Sequence, residues 1–155
     1  MKFGSRLAWM AFAMALVGVA GCAGTPKPAL VKAQFDVQAS VNPDSRGRPS
    51  PVVVRLYELK SMAAFNGADF FSIYERDKET LGAELLAREE FLLRPGEKRQ
   101  LERKLQPETT YVGVIAAFRD LEHAQWRGTM AVAPGQVVPV LIKLEGSKIS
   151  IGAAK

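Results

Sequence analysis

His123 is the one histidine among 155 residues, and it lies in the stretch Arg119-Asp-Leu-Glu-His123-Ala124. A catalytic histidine needs a nucleophile within reach and a group that orients its ring. Asp120 and Glu122 are close enough in sequence to orient it, but no serine stands in a nucleophile-elbow context. His123 therefore reads as a solvated loop residue. Glu89 and Glu90 are adjacent carboxylates, the residue type that glycoside hydrolysis uses. Neighbours in a strand face opposite sides, so these two diverge rather than share a site. A single cysteine, Cys22, and a single histidine exclude an internal disulfide framework, a Cys-based zinc cluster and multi-histidine metal sites. Glycine-rich phosphate loops and EF-hand spacings are absent from the sequence as well. The expectation is a protein that is not an enzyme and holds no metal or small-molecule cofactor.

Cys22 is the exception, because its surroundings specify a chemistry. Lys2 and Arg6 make a basic start, and Leu7-Ala-Trp-Met-Ala-Phe-Ala-Met-Ala-Leu-Val17 makes an apolar run. That run is short for a membrane helix, which needs roughly 20 apolar residues, and suits the core of a signal peptide. It ends in Val19-Ala20-Gly21-Cys22, which resembles a bacterial lipobox. Small residues let the peptide lie extended in a protease groove, and the thiol accepts diacylglycerol. Cleavage frees an amino group that takes an N-acyl chain. The other reading is an ordinary secretory signal that leaves a free thiol, a liability in an exported protein. Each buried methylene contributes about 0.8 kcal/mol, so two or three chains give lasting attachment where one is marginal. Residue 23 is Ala rather than Asp, which in lipoproteins of Gram-negative bacteria resembles the outer-membrane destination. Residues 1–21 are thus expected to be a signal peptide, and 22–29 the acylated cysteine with a tether. Two prolines and a glycine keep that tether extended, with a reach of roughly 20 Å.

The elements that would carry any site begin at residue 30. Val31, Ala33, Phe35, Val37, Ala39 and Val41 alternate with polar residues, which predicts a half-buried strand of an antiparallel sheet over 31–41. Residues 42–51 hold three prolines and a glycine and predict a surface loop. Val52 to Leu59 predicts a second strand. Over 61–83 the period changes: Met62, Phe65, Phe70, Phe71, Ile73, Tyr74 and Leu81 fit two or three short helices, with Ser61, Asp69 and Asp77 as candidate N-caps. Further strands are expected at 85–93, at a charged edge over 98–105, centrally at 109–118, as a hairpin of 125–132 with 137–144 about Pro134-Gly135, and at 148–151. Seven or eight short strands predict an all-β protein, a two-sheet β-sandwich over 30–155 with a helical insertion between strands 2 and 3. The net charge of +5 falls to +3 once Lys2 and Arg6 are removed, and no basic run is interleaved with aromatics, so nucleic acid is not called for.

Two features could meet a partner. Phe65, Phe70, Phe71 and Tyr74 are either the seam that fixes the insertion to a sheet or a groove for a small ligand or glycan. Arg119 and Arg127 are read as flanking Asp120 in a charge pair. The loop Asn42, Pro43, Asp44, Ser45, Arg46, Gly47, Arg48, Pro49, Ser50 is polar and stiffened by proline. Such a loop loses little entropy on docking and suits protein recognition, although it could equally be a plain long connection.

Several segments taken in order carry a resemblance: Val41-Asn-Pro-Asp-Ser-Arg-Gly-Arg-Pro-Ser-Pro-Val-Val-Val-Arg-Leu-Tyr-Glu-Leu59, Phe65-Asn-Gly-Ala-Asp-Phe-Phe71, Leu81-Gly82, Glu90-Phe-Leu-Leu-Arg-Pro-Gly96, Tyr111-Val-Gly-Val-Ile-Ala-Ala-Phe-Arg-Asp120 and Trp126-Arg127. With the lipobox, the chain resembles the TssJ (SciN/VasD) family of outer-membrane lipoproteins of type VI secretion systems. The resemblance implies a transthyretin-like sandwich and a non-enzymatic role. It implies a place on the periplasmic face of the outer membrane, and binding to the periplasmic C-terminal region of TssM. With TssL, these would form a trans-envelope complex. It also implies that the loop between the first two strands, residues 42–51 here, makes the TssM contact.

Overall fold

A computed structural model describes Gly24 and residues 26–154. Cys22 and the signal-peptide region lie outside the described residues. Eight strands form two four-stranded sheets with the orders β4-β1-β7-β8 and β3-β2-β5-β6. In the first sheet, β1 is Leu30–Val37, β4 Lys98–Lys104, β7 Val137–Glu145 and β8 Lys148–Ala153. In the second, β2 is Val52–Leu59, β3 Leu85–Leu93, β5 Tyr111–Ala117 and β6 Arg127–Ala131. Helices α1 (Ala63–Gly67) and α2 (Phe70–Leu81), followed by a 3-10 turn at Gly82–Glu84, sit between β2 and β3.

Alternation decides which side chains meet between the sheets. Val31, Ala33, Phe35 and Val37 of β1 are buried against Val52, Val54 and Leu56 of β2 and Val112, Val114 and Ala116 of β5. The opposite face of the second sheet is covered by the helices. There Tyr57, Leu59 and Ile115 form a second core with Phe65, Phe70, Ile73 and Leu81. That double coverage explains why β2 and β5 read as nearly continuous apolar runs. Gly113 is required where a helix approaches: a Cβ there would lie 2.8 Å from Cζ of Phe65. Asp69 caps α2, its Oδ1 accepting the Ser72 amide at 3.0 Å.

Four expectations need correction. The first strand ends at Val37 rather than Val41, because the Gln38 amide donates to Leu144 O and the Val41 amide folds back to Gln38 O. Its sheet is mixed: β1 pairs antiparallel with β4 and parallel with β7. The strands flanking Pro134-Gly135 are not a hairpin. β6 pairs with β5 and β7 with β1, so this turn carries the chain from one sheet to the other. The spacer is shorter than residues 23–29. Ala29 is buried, its carbonyl accepts the Leu105 amide at 2.9 Å, and Pro26 shares a cleft with Leu86, Gln106, Pro107 and Glu108.

Strand direction gives the sandwich two unlike poles. Where β1 begins, Leu30 lies beside Lys104 and Val137. The segment 132–136 and the 105–110 connection belong to this pole. Where β1 ends, the chain passes into the 38–51 loop, joined there by the turn at 94–97, the 118–126 segment and the Gly146-Ser147 turn.

The sheets are cross-tied by a buried charge. Glu58 of β2 is 1% exposed. Its Oε1 accepts Arg103 Nε of β4 at 2.7 Å, and its Oε2 accepts the Gln106 amide at 2.7 Å and Thr109 Oγ1 at 3.2 Å. Arg103 also pairs with Glu89 of β3. An isolated buried carboxylate costs several kcal/mol, and only such a full set of donors offsets it. Glu58→Ala orphans Gln106 N and Thr109 Oγ1 and is expected to destabilise the protein by about 3 kcal/mol in urea unfolding. Lys32→Ala, which removes the exposed pair with Glu102 at 3.6 Å, should change stability by under about 0.5 kcal/mol.

Candidate functional site

The loop between β1 and β2 is built on one carboxylate and one amide. Asp44 Oδ1 accepts the amides of Arg46 and Arg48, each at 2.9 Å, and Oδ2 accepts Arg48 Nε at 2.8 Å. The Asp44 amide donates to Arg48 O, and the Gly47 amide to Asp44 O, closing a tight turn. Gly47 takes φ +75, a conformation that favours glycine. The hydrogen bonds from Arg48, backbone first and then side chain, hold the Asp44 carboxyl below its ordinary value of 3.8.

Asn42 fixes this turn to the body. It is 3% exposed and adopts φ 50, a left-handed conformation that asparagine tolerates better than most residues. Its Nδ2 donates to Pro51 O across the neck of the loop at 2.8 Å, and its Oδ1 accepts the Arg119 amide at 2.8 Å. Its own amide donates to Gly146 O at 2.8 Å. One side chain and its backbone thus join three loops at the pole where β1 ends. The Ser50 amide closes the neck onto Val41 O. Among the nine residues read as a partner-binding loop, Asn42 and Ser50 are buried and act as its foundation. Pro43 and Asp44 are half-buried, and Ser45, Arg46, Gly47, Arg48 and Pro49 are exposed.

The other candidates are dispersed. His123 Nδ1 lies 3.0 Å from Asp120, and both side chains are exposed. Glu89 turns to Arg103 and Glu90 to Arg55, whose Nε lies 2.6 Å from Glu90 Oε2, so the adjacent carboxylates do diverge. The expected Arg119–Asp120–Arg127 grouping does not form. Asp120 is engaged by His123, while Arg127 donates to the carbonyls of Phe65 and Ala68 at 3.1 and 2.8 Å, closing the C-terminal end of α1. Backbone carbonyls at a helix end attract a guanidinium, and sequence proximity to Asp120 gave no hint of them. Among the described residues no group of three metal-ligating side chains occurs.

The aromatic residues form the seam rather than a groove. Phe70 is 7% exposed, stacks on Tyr74 with ring centroids 5.2 Å apart, and meets Trp126 edge-on at 5.3 Å. Phe65 packs on Tyr57 at 5.5 Å, and Arg55 lies 4.0 Å over the Tyr74 ring. Trp126 joins this seam, which the sequence reading missed because it lies far along the chain. Phe71 alone points outward.

The described residues thus form a two-sheet β-sandwich with a helical cover over one sheet and a preformed loop at one pole. The family described as type VI secretion lipoprotein (VasD, EvfM, TssJ, VC_A0113) matches residues 29–147, and this chain belongs to it. It is similar to the type VI secretion lipoprotein TssJ1 from Pseudomonas aeruginosa, with 37% identity and a TM-score of 0.76 over 84% of this chain and 98% of that one. It is also similar to Serratia marcescens Lip, a membrane-bound component of the type VI secretion system, with 27% identity and a TM-score of 0.71 over 81% of this chain and 97% of that one. A structure named for the TssM C-terminal domain (869–1107) from EAEC holds a chain of the same fold, at 23% identity and a TM-score of 0.68 over 81% of this chain and 98% of that one. No curated protein matches.

A carboxyl with a lowered folded-state value contributes order above the ordinary aspartate range and loses it as pH falls through that lowered value. The Asp44 carboxyl should therefore titrate below 3.8 in an NMR pH series. Protection of the Arg46 and Arg48 amides from exchange should persist at the ordinary value and vanish in Asp44→Ala.

Proposed function

We propose that acyl chains on Cys22 hold this protein on the periplasmic face of the outer membrane, and that the loop 42–50 binds the periplasmic C-terminal region of TssM. With TssL, the two would form a complex that spans the envelope and anchors the secretion apparatus. The observation that carries this reading is the opposition of the two poles. The chain enters the sandwich at Ala29, beside Leu105 and Gln136, and the stiff loop leaves from the other end of β1. A lipid on Cys22 would then leave the loop facing away from the bilayer.

The names of the structural relatives support the partner. One is named for a type VI membrane complex, another for the TssM C-terminal domain. The chain matched in the latter is covered over 98% of its length by 81% of this one, so it is close to this protein in size and far shorter than the span 869–1107. The mechanism is mechanical. Two or three acyl chains supply membrane affinity, and the loop presents a surface already ordered. Confinement to a membrane raises the effective concentration of every further contact, so a modest affinity for one partner suffices in an assembly.

Cys22→Ser should leave the domain folded but release it from membranes; fractionation that finds the variant still in the outer membrane would refute the acyl anchor. Shortening 44–49, with Asn42 and Ser50 kept, should weaken calorimetric binding to the TssM periplasmic region by about tenfold or more. An unchanged affinity in a folded variant would remove the loop from the interface.

A further inference from the structure

Beside the loop 42–50 runs a groove of about 530 Å³, lined by Pro43, Asp44, Ser45, Arg119, Asp120 and Ser147. These residues come from three connections that Asn42 ties together through its bonds to Pro51, Arg119 and Gly146. The groove is thus part of the same rigid unit as the loop, although 77 positions separate Asn42 from Arg119.

Its hydrogen-bonding capacity is lopsided. Both acidic residues are already engaged. Asp44 takes two amides and the Arg48 guanidinium, and both Asp120 oxygens lie 3.0 Å from His123 Nδ1. The donors are not. Among the described residues, the guanidinium groups of Arg119 and Arg46 have no hydrogen-bond or carboxylate partner; only their backbone amides are used. Both side chains are exposed. Arg119 lines the groove together with Pro43, Asp44 and Ser45 of the loop. A groove whose two carboxylates already have partners and whose one guanidinium, Arg119, is open, beside the open guanidinium of Arg46 on the loop, fits a ligand that brings acceptors. Guanidinium groups favour carboxylates, which they bind in paired, geometrically fixed contacts.

We propose that Arg119 and the groove it lines are the second half of the partner-binding surface, and that with Arg46 they receive an acidic segment of the partner. The inference rests on the TssM reading and names the chemistry of the contact. It places a residue of the β5–β6 connection in an interface otherwise assigned to the β1–β2 loop.

The test titrates the mature acylated protein in detergent with the periplasmic C-terminal region of TssM. Arg119→Glu and Arg46→Glu should each weaken binding about tenfold or more, and wild-type affinity should fall as salt rises. Arg94→Glu, in the 94–97 turn at the same pole but on the other side of the loop, should stay within about twofold. The backbone bond from Arg119 to Asn42 survives each substitution, and matching circular dichroism and melting curves establish that the variants fold. Arg119→Gln, which removes the guanidinium without reversing the charge, should fall between wild type and Arg119→Glu. Wild type that fails to bind refutes the TssM reading itself. Wild type that binds while Arg119→Glu is unchanged, or while Arg94→Glu is equally damaging, overturns the groove and leaves the partner in place.

Discussion

The strand β1 determines which end of this molecule is held and which is free. It is paired along its length on both sides, with β4 antiparallel and β7 parallel. A slip of one residue would turn Val31, Ala33, Phe35 and Val37 out of the core and Lys32 and Gln34 into it. Its register is therefore fixed by burial as well as by hydrogen bonds. Eight residues at about 3.3 Å each separate the entry at Ala29 from the loop by about 25 Å. Ala29 is already buried in the body, so the chain joins the sandwich one residue before β1 begins.

The rest of the scaffold keeps those poles from shifting against each other. Two sheets held only by apolar packing can slide, because the hydrophobic effect has no direction. The Glu58–Arg103 bond has direction and joins β2 of one sheet to β4 of the other. On the far face, α1 and α2 turn what would be a solvated side of the second sheet into a second core. The Tyr57 hydroxyl is buried there without a hydrogen-bond partner among the described residues, so the Tyr57 side chain is held by ring packing, while Arg127 ties α1 to the sheet through the carbonyls of Phe65 and Ala68.

Much of this was legible from residue periods. The limits of β2 and β3, the helical insertion and the edge position of β4 follow from alternation, apolar spacing and charge density. Pairing was less legible, because alternation states which face is buried and not which strand lies alongside. The Pro134-Gly135 turn shows this. Its composition signals a change of direction, and only tertiary contacts decide that β7 joins β1 instead of returning along β6. Val41 kept the period of β1, yet it belongs to the loop neck, where it is buried for a different reason. Among site residues, the loop's polarity and prolines were visible. The role of Asn42 was not, since its partners Arg119 and Gly146 are remote in sequence.

That remoteness has a consequence for how a recognition surface can change. The loop's shape comes from Asn42, Asp44, Gly47 and the closed neck at Ser50, whose bonds run to backbone groups apart from the side-chain pair of Asp44 with Arg48. Backbone groups are present whatever the side chains are. The residues at the tip, Ser45, Arg46 and Pro49, contribute no side-chain hydrogen bond to that shape among the described residues. Left-handed backbone at Asn42 costs on the order of 1–3 kcal/mol, and the bonds to Pro51, Arg119 and Gly146 offset it. Order is thus maintained at the base while chemistry is displayed at the tip. A charge exchanged at Arg46 alters what the surface attracts without altering where it stands, so specificity and stability are set by different residues of one short segment.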